Sequence, residues 1–159
     1  MDARIRPDMP VDLNNLIIRT ATLEEILPLR EAVLIRGTGR PSQFPGDTDT
    51  TTVHFGADLG GTIVCCATFL VSELEGRPAY QLRGMATETS VRGRGIGARL
   101  LAFAEEYLMT RSRTRILWCN ARLQAVPFYK RQGWDMMSDE FDVPNVGPHV
   151  KMRKRFPDG

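Results

Sequence analysis

Arg92-Gly93-Arg94-Gly95-Ile96-Gly97 is the segment whose residue types and spacing speak most directly of chemistry. Glycines at 93, 95 and 97 keep side chains off the backbone. The helical pattern that begins there adds unsatisfied amide N–H groups and the positive end of a helix dipole. A turn of this kind binds phosphate, with Arg92 and Arg94 either adding guanidinium contacts at its rim or standing as solvated surface charges. A Walker loop needs Gly-Lys-Ser/Thr, which the segment lacks. The dinucleotide fingerprint G-x-G-x-x-A is met in letters by Gly93, Gly95 and Ala98. Its context differs, since the fingerprint follows a strand directly and meets an acid about twenty residues later. Here polar residues intervene, and Arg113, Thr114 and Arg115 stand downstream. A glycine cluster at a tight turn with no ligand is the plain structural alternative.

The turn needs a strand before it and a helix after it. Ala79 to Thr87 has strand character, and from Ile96 to about Thr110 the residues Ile96, Leu100, Phe103, Ala104, Tyr107 and Leu108 fall on one helical stripe. Arg115 to Cys119 then reads as a buried strand, so strand, helix and strand imply a parallel crossover. Upstream, Leu16-Ile17-Ile18 predicts a short strand. Thr22 with Glu24 and Glu25 opens a helix that keeps apolar spacing through Ile26, Leu29, Val33 and Leu34 and stops near Gly37. Residues 37 to 50 form a loop of the length that often serves a site. Thr51–Ala57 and Thr62–Leu74 flank Asp58-Leu59-Gly60-Gly61 as a hairpin, and Gly76-Arg77-Pro78 turns the chain into the strand before the glycines. A shorter helix from about Leu123 to Gln132 ends at Gly133, and two strands split by Pro144 to Pro148 complete the tail. These elements predict an α+β fold on one mixed sheet of six to seven strands with about four helices. Residues 1–15, with Pro7 and Pro10, form a loose lead-in, and 16–159 one domain.

Composition narrows the class. With 159 residues, 42% hydrophobic and 25% charged, the chain is one globular domain with material for one core. The balance of 21 Lys+Arg against 19 Asp+Glu leaves +2, too little for a nucleic-acid binder driven by global charge, so any anion site is local. No apolar run is long enough to span a membrane, and Met1-Asp2-Ala3-Arg4 does not open a secretory signal, so a cytoplasmic location is expected. Of the three cysteines, Cys65 and Cys66 point to opposite faces of a strand, Cys119 stands apart, and none has metal-ligand spacing; all are expected to be reduced, with no metal site.

The pattern Arg/Gln-x-x-Gly-x-Gly/Ala of the acetyl-CoA pyrophosphate loop is matched at every fixed position by Arg92 to Gly97. A second pattern, A-x-x-F-Y-x-x-x-G-F/W, is carried by Ala125, Phe128, Tyr129, Gly133 and Trp134. In this order and on these elements, the chain resembles the GNAT superfamily of N-acetyltransferases from about Ile17 onward. The resemblance implies a splayed pair of parallel strands in which acetyl-CoA lies. Met85, Ala86 and Thr87 would contact the pantetheine arm and Arg92, Gly93, Arg94, Gly95, Ile96, Gly97 and Ala98 the pyrophosphate; Arg122, where the family often has asparagine, would reach the cofactor or solvent. It implies acetyl transfer to a primary amine of a small molecule or peptide by direct attack, with Tyr129 as general acid. The family's strand glutamate is absent and Arg83 stands in that strand, so Glu88, His54, His149 or a water chain are the base candidates. Phe141, Pro148-His149 and Met152 resemble a bacterial subgroup of small members. Expected partners are the amine acceptor and, as an open option, a second copy in a homodimer, with neither nucleic acid nor membrane. Residues 37–50 and 139–149 are expected to frame the acceptor pocket, where Asp47, Asp49 and Asp142 compete with nearby arginines. The rival readings are a catalytically silent CoA-binding sensor and a nicotinamide enzyme built on the same glycines.

Overall fold

A computed structural model of the chain describes residues 11–158; Pro7 and Pro10 of the expected lead-in lie outside them. Asp12 caps a 3-10 turn, Leu13–Asn15, by accepting the Asn14 N–H at 3.0 Å, and the chain enters strand β1, Leu16–Ala21. Helix α1, Leu23–Arg30, starts at a reciprocal capping box. Thr22 Oγ1 accepts the Glu25 N–H at 3.2 Å, and Glu25 Oε1 accepts the Thr22 N–H at 2.9 Å. Apolar spacing predicts that this helix continues to Gly37. Instead α geometry ends at Arg30 and the chain widens into a π segment, Glu31–Ile35, closed by Arg36 N–H to Glu31 O at 2.9 Å. Side-chain periodicity does not separate the two geometries, and π turns recur beside functional sites. This one sets Leu34 and Ile35 against the cavity described below.

Strands β2 (Val53–Leu59), β3 (Thr62–Leu74) and β4 (Arg77–Thr87) form the expected antiparallel meander. The β3–β4 turn is one step earlier than predicted: Glu75 and Gly76 take positive φ, and Pro78 is a strand residue opposite Glu73. Helix α2 (Ile96–Arg111), strand β5 (Ile116–Arg122) and helix α3 (Val126–Arg131) follow, then β6 (Asp135–Met136), β7 (Phe141–Val143) and β8 (Gly147–Arg155). The order is β1-β2-β3-β4-β5-β8-β6, with β7 also on β8, an eight-stranded sheet. The strand beyond the expected count is β6, whose two residues are too few to carry an alternating pattern. Among the described residues the α-helices number three rather than about four, since the remaining helical stretches are 3-10 and π turns. All neighbours run antiparallel except β4 and β5.

The main core lies between the sheet and α2, where Ile96, Leu100, Leu101, Ala104 and Leu108 are buried against Phe55, Cys65, Ala67 and Phe69. Phe103 and Tyr107, predicted on the stripe, sit at its edge and close it by edge-on contact with Phe55, at ring-centroid distances of 6.1 and 5.3 Å. Leu101 takes the buried position instead. The other face of the sheet holds α1, with Ile26, Leu29, Cys66 and Ala86 packed together. Cys65 and Cys66 thus serve opposite faces, free and buried, and burial pushes their thiols up to about 11 and about 12. Among the described residues no helix is long and apolar enough to cross a membrane.

Candidate active site

β4 and β5 pair only at Tyr80 with Leu117 and Gln81 with Trp118. Beyond Gln81 the strands diverge, so backbone groups along one edge of each have no strand partner and are open to a ligand. A bulge in β4 widens the split: between Cys66–Ala86 and Thr68–Arg83, Ala67 faces both Gly84 and Met85. Gly84 has φ +64°, and a Cβ there would lie 2.8 Å from Arg30 Nε and 3.1 Å from the Phe44 ring. The mid-strand glycine therefore lets α1 and the following loop approach β4.

That loop is pinned by a buried polar chain. Arg30 donates to both Asp47 carboxylate oxygens at 2.6 and 3.2 Å, to Ser42 O at 3.0 Å and to Thr68 Oγ1 at 2.8 Å. Thr68 Oγ1 lies 2.8 Å from His54 Nδ1, and His54 Nε2 lies 3.0 Å from Asp47 O. Because the carbonyl can only accept, Nε2 is protonated and Nδ1 receives the Thr68 hydroxyl proton. Both ring nitrogens of His54 are thus occupied, and the residue lies outside the cavities, a structural tie rather than a base. The Phe44 N–H adds a third bond to Asp47, at 2.6 Å.

At the head of α2, Gly93 and Gly95 both take φ +78°, and a Cβ on either would meet open space. Their requirement is conformational. Gly95 is the N-cap and offers no side-chain bond, so no cap side chain occupies the free N–H groups of the first turn of α2. Gly97 differs: a Cβ there would stand 3.4 Å from the Phe128 ring and 3.6 Å from Met85 Cε. Arg92 folds back to give Nε–H to Thr87 O at 3.2 Å. Arg94 is exposed and lines neither cavity, and Ile96 buries its side chain in the core, leaving only its backbone at the turn. A groove of about 770 Å³ runs from Arg92, Gly93 and Gly95 past Gly97, Ala98, Thr87 and Ala86 to Met85. Gln124, Phe128 and Arg131 form part of its other wall; of these only Phe128 belonged to a readable motif.

The groove meets a second cavity of about 240 Å³, and Leu34, Met85, Arg122 and Ala125 line both. Tyr129 and His149 are in this second cavity. The Tyr129 ring is wedged against Phe128 and Trp134 at centroid distances of 5.2 and 5.4 Å, and its burial raises the phenol well above its ordinary value, keeping it a proton donor. Trp134 is fixed in turn by Nε1–H to Glu105 at 3.1 Å, and Lys154 holds the same carboxylate at 2.6 Å. His149 Nδ1 lies 2.8 Å from Gly147 O, so Nδ1–H donates to that carbonyl and Nε2 is left outside the contact. Glu88 is not brought to this cluster: its N–H is bound to Val64 O at 2.8 Å, its Oε2 is buried with no partner among the described residues, and it lines neither cavity. The two predicted framing segments do meet here, supplying Arg40 and Phe44 from one and Val143, Val146 and His149 from the other. Arg40 and Phe44 carried no pattern in the sequence that would single them out.

An acetyltransferase (GNAT) domain family matches residues 48–156. A protein of Bacillus subtilis (strain 168) described as uncharacterized N-acetyltransferase YitI is 31% identical over 146 residues, spanning 86% of this chain and 94% of the relative. Among solved structures, Escherichia coli ElaA superposes with a TM-score of 0.75 at 18% identity, over 88% of this chain and 99% of that one. An aminoglycoside 6'-N-acetyltransferase complexed with coenzyme A superposes at 0.68 with 13% identity, over 90% and 99%. A family match over most of the chain, a relative alike along nearly its whole length and a sheet split at its single parallel pair agree: the chain belongs to the GNAT superfamily of acetyltransferases.

Proposed function

We propose that this protein transfers the acetyl group of acetyl-CoA to a primary amine. Support comes from the continuity of the groove, which leads from the exposed N–H groups at the head of α2, along the unpaired edge of β4, into the cavity holding Tyr129. Pyrophosphate suits the glycine turn, with Arg92 and Arg131 at the rim, and the free β4 edge suits an extended amide-bearing arm. The superposed aminoglycoside acetyltransferase with its coenzyme A supports the same donor class.

Acetyl-CoA supplies a thioester carbonyl to a neutral amine; the C–N bond forms, the C–S bond breaks, the nitrogen loses one proton and the sulfur gains one. Tyr129, un-ionised and in the cavity, gives the sulfur its proton. His149, as the neutral tautomer with its proton on Nδ1, takes the proton from the nitrogen through Nε2, directly or through one water. N–H groups along the unpaired β4 edge are open to the carbonyl oxygen as its charge develops.

The test is calorimetric titration with acetyl-CoA and with NAD, followed by thiol-release assays over a panel of primary amines. Binding of acetyl-CoA but not NAD, and release on at least one amine, is expected. Binding without release on any amine would favour a catalytically silent CoA module, and binding of NAD alone a nicotinamide enzyme.

A further inference from the structure

Arg40, Arg83 and Arg122 line the cavity that holds Tyr129 and His149, and no Asp or Glu is among its lining residues. The acid behind this wall, Asp47, spends its hydrogen bonds on Arg30 and the Phe44 N–H and reaches Arg83 only through the field, with no ion pair between them. Among the described residues none of the three cavity arginines forms an ion pair with a carboxylate. Each is only half-exposed. Arg83 stacks on the Phe44 ring, 4.7 Å from its centroid, and Arg122 donates to Leu34 O at 3.3 Å, contacts that orient the guanidinium groups without neutralising them. Burial lowers the guanidinium pKa of both Arg83 and Arg122; Asp47 partly opposes it at Arg83, and Arg40 close by lowers both further. Converging, partly desolvated like charges raise the free energy of the empty cavity, and an incoming anion relieves it. Coenzyme A phosphates do not account for this charge, since Arg40 and Arg83 line the cavity and not the groove.

Resting on the acetyl-transfer reading above, we infer that the acceptor is a small amine that also bears a carboxylate, gripped by Arg40, Arg83 and Arg122 beside Tyr129. Guanidinium forks suit a carboxylate, which can accept two parallel N–H bonds. A cavity of about 240 Å³ lies below the ~300 Å³ where drug-sized pockets begin, so the acceptor is of amino-acid size. The same cations disfavour the ammonium form of the acceptor and favour the neutral amine that attacks. They repel polyamines.

The deciding experiment measures thiol release with acetyl-CoA on glycine, β-alanine and L-glutamate, on the analogues in which every carboxylate is a carboxamide, and on spermidine. It is paired with calorimetry of each probe on the CoA-loaded protein. A preference of at least tenfold in kcat/KM or in affinity for the carboxylates is expected. Arg40→Gln and Arg83→Gln should each weaken it at least tenfold through KM or Kd, with acetyl-CoA affinity unchanged as the check on folding and lysine at either position restoring part. Equal use of carboxamide or spermidine, unaltered carboxylate binding in both variants, or neither heat nor turnover with any carboxylate on a protein that binds acetyl-CoA would overturn this inference alone. Failure to bind acetyl-CoA would overturn the transferase reading instead.

Discussion

Tyr129 draws its chemistry from its surroundings. A phenol buried against Phe128 and Trp134 is held above its usual range, so it stays protonated as pH rises through 10. The alkaline side of the rate profile should therefore show no loss assignable to Tyr129 below about pH 10. Tyr129→Phe should lower kcat by roughly 10²-fold or more while leaving acetyl-CoA affinity in place, read by thiol release beside calorimetry; an equal fall in both would make the ring a packing element only. Glycines at the site divide by cause. Gly93→Ala meets open space and should lose only about 1–2 kcal/mol for a left-handed φ. Gly84→Ala adds contact with Arg30 Nε and the Phe44 ring and should lose clearly more in urea unfolding, loosening the loop that carries Arg40.

The capping box of α1 is the element-scale feature with a pH signature. Thr22→Ala should cost about 1 kcal/mol of stability, measured by denaturant titration. The Arg19 guanidinium, first, and the Thr22 N–H, second, hold the Glu25 carboxyl down at about 2. Since its folded value lies below its ordinary 4.5, the contribution of Glu25 to stability is present above about pH 4.5 and is lost as pH falls toward 2. Unfolding curves taken between pH 7 and pH 3 should show the gap between Glu25→Gln and the wild type narrowing once the pH drops below about 4.5. A gap that stays constant would contradict the assignment. α1 matters to the site because its last residue, Arg30, anchors the loop through Asp47, and the π segment after it lines the cavity.

The molecule as a whole carries a formal charge of +2, yet the cavity that holds Tyr129 and His149 gathers three arginines and has no Asp or Glu in its lining. Global charge and local field are thus independent properties of this fold. Linkage supplies the matching prediction: acetyl-CoA at a hundred times its Kd should stabilise the folded protein by about 2.7 kcal/mol, seen as a rise in Tm, with NAD giving none. An identical rise with both would remove the specificity claimed for the groove.

The glycine turn, the meander, the β4-α2-β5 crossover and Tyr129 were legible in the chain, because turn chemistry, periodicity and short motifs are local. Other features were decided by contacts between residues far apart in sequence. The π widening of α1, the exclusion of Glu88, the occupation of His54 by Thr68 and Asp47, and the pairing of Asp47 with Arg30 outside the cavity lining all depend on which neighbour each group meets. Residues 37–50 show Arg40, Asp47 and Asp49 together as a string of letters. Only in the folded chain does Arg30 neutralise Asp47 while Arg40 joins Arg83 and Arg122, since electrostatic balance is settled by distance in space and not by position along the chain.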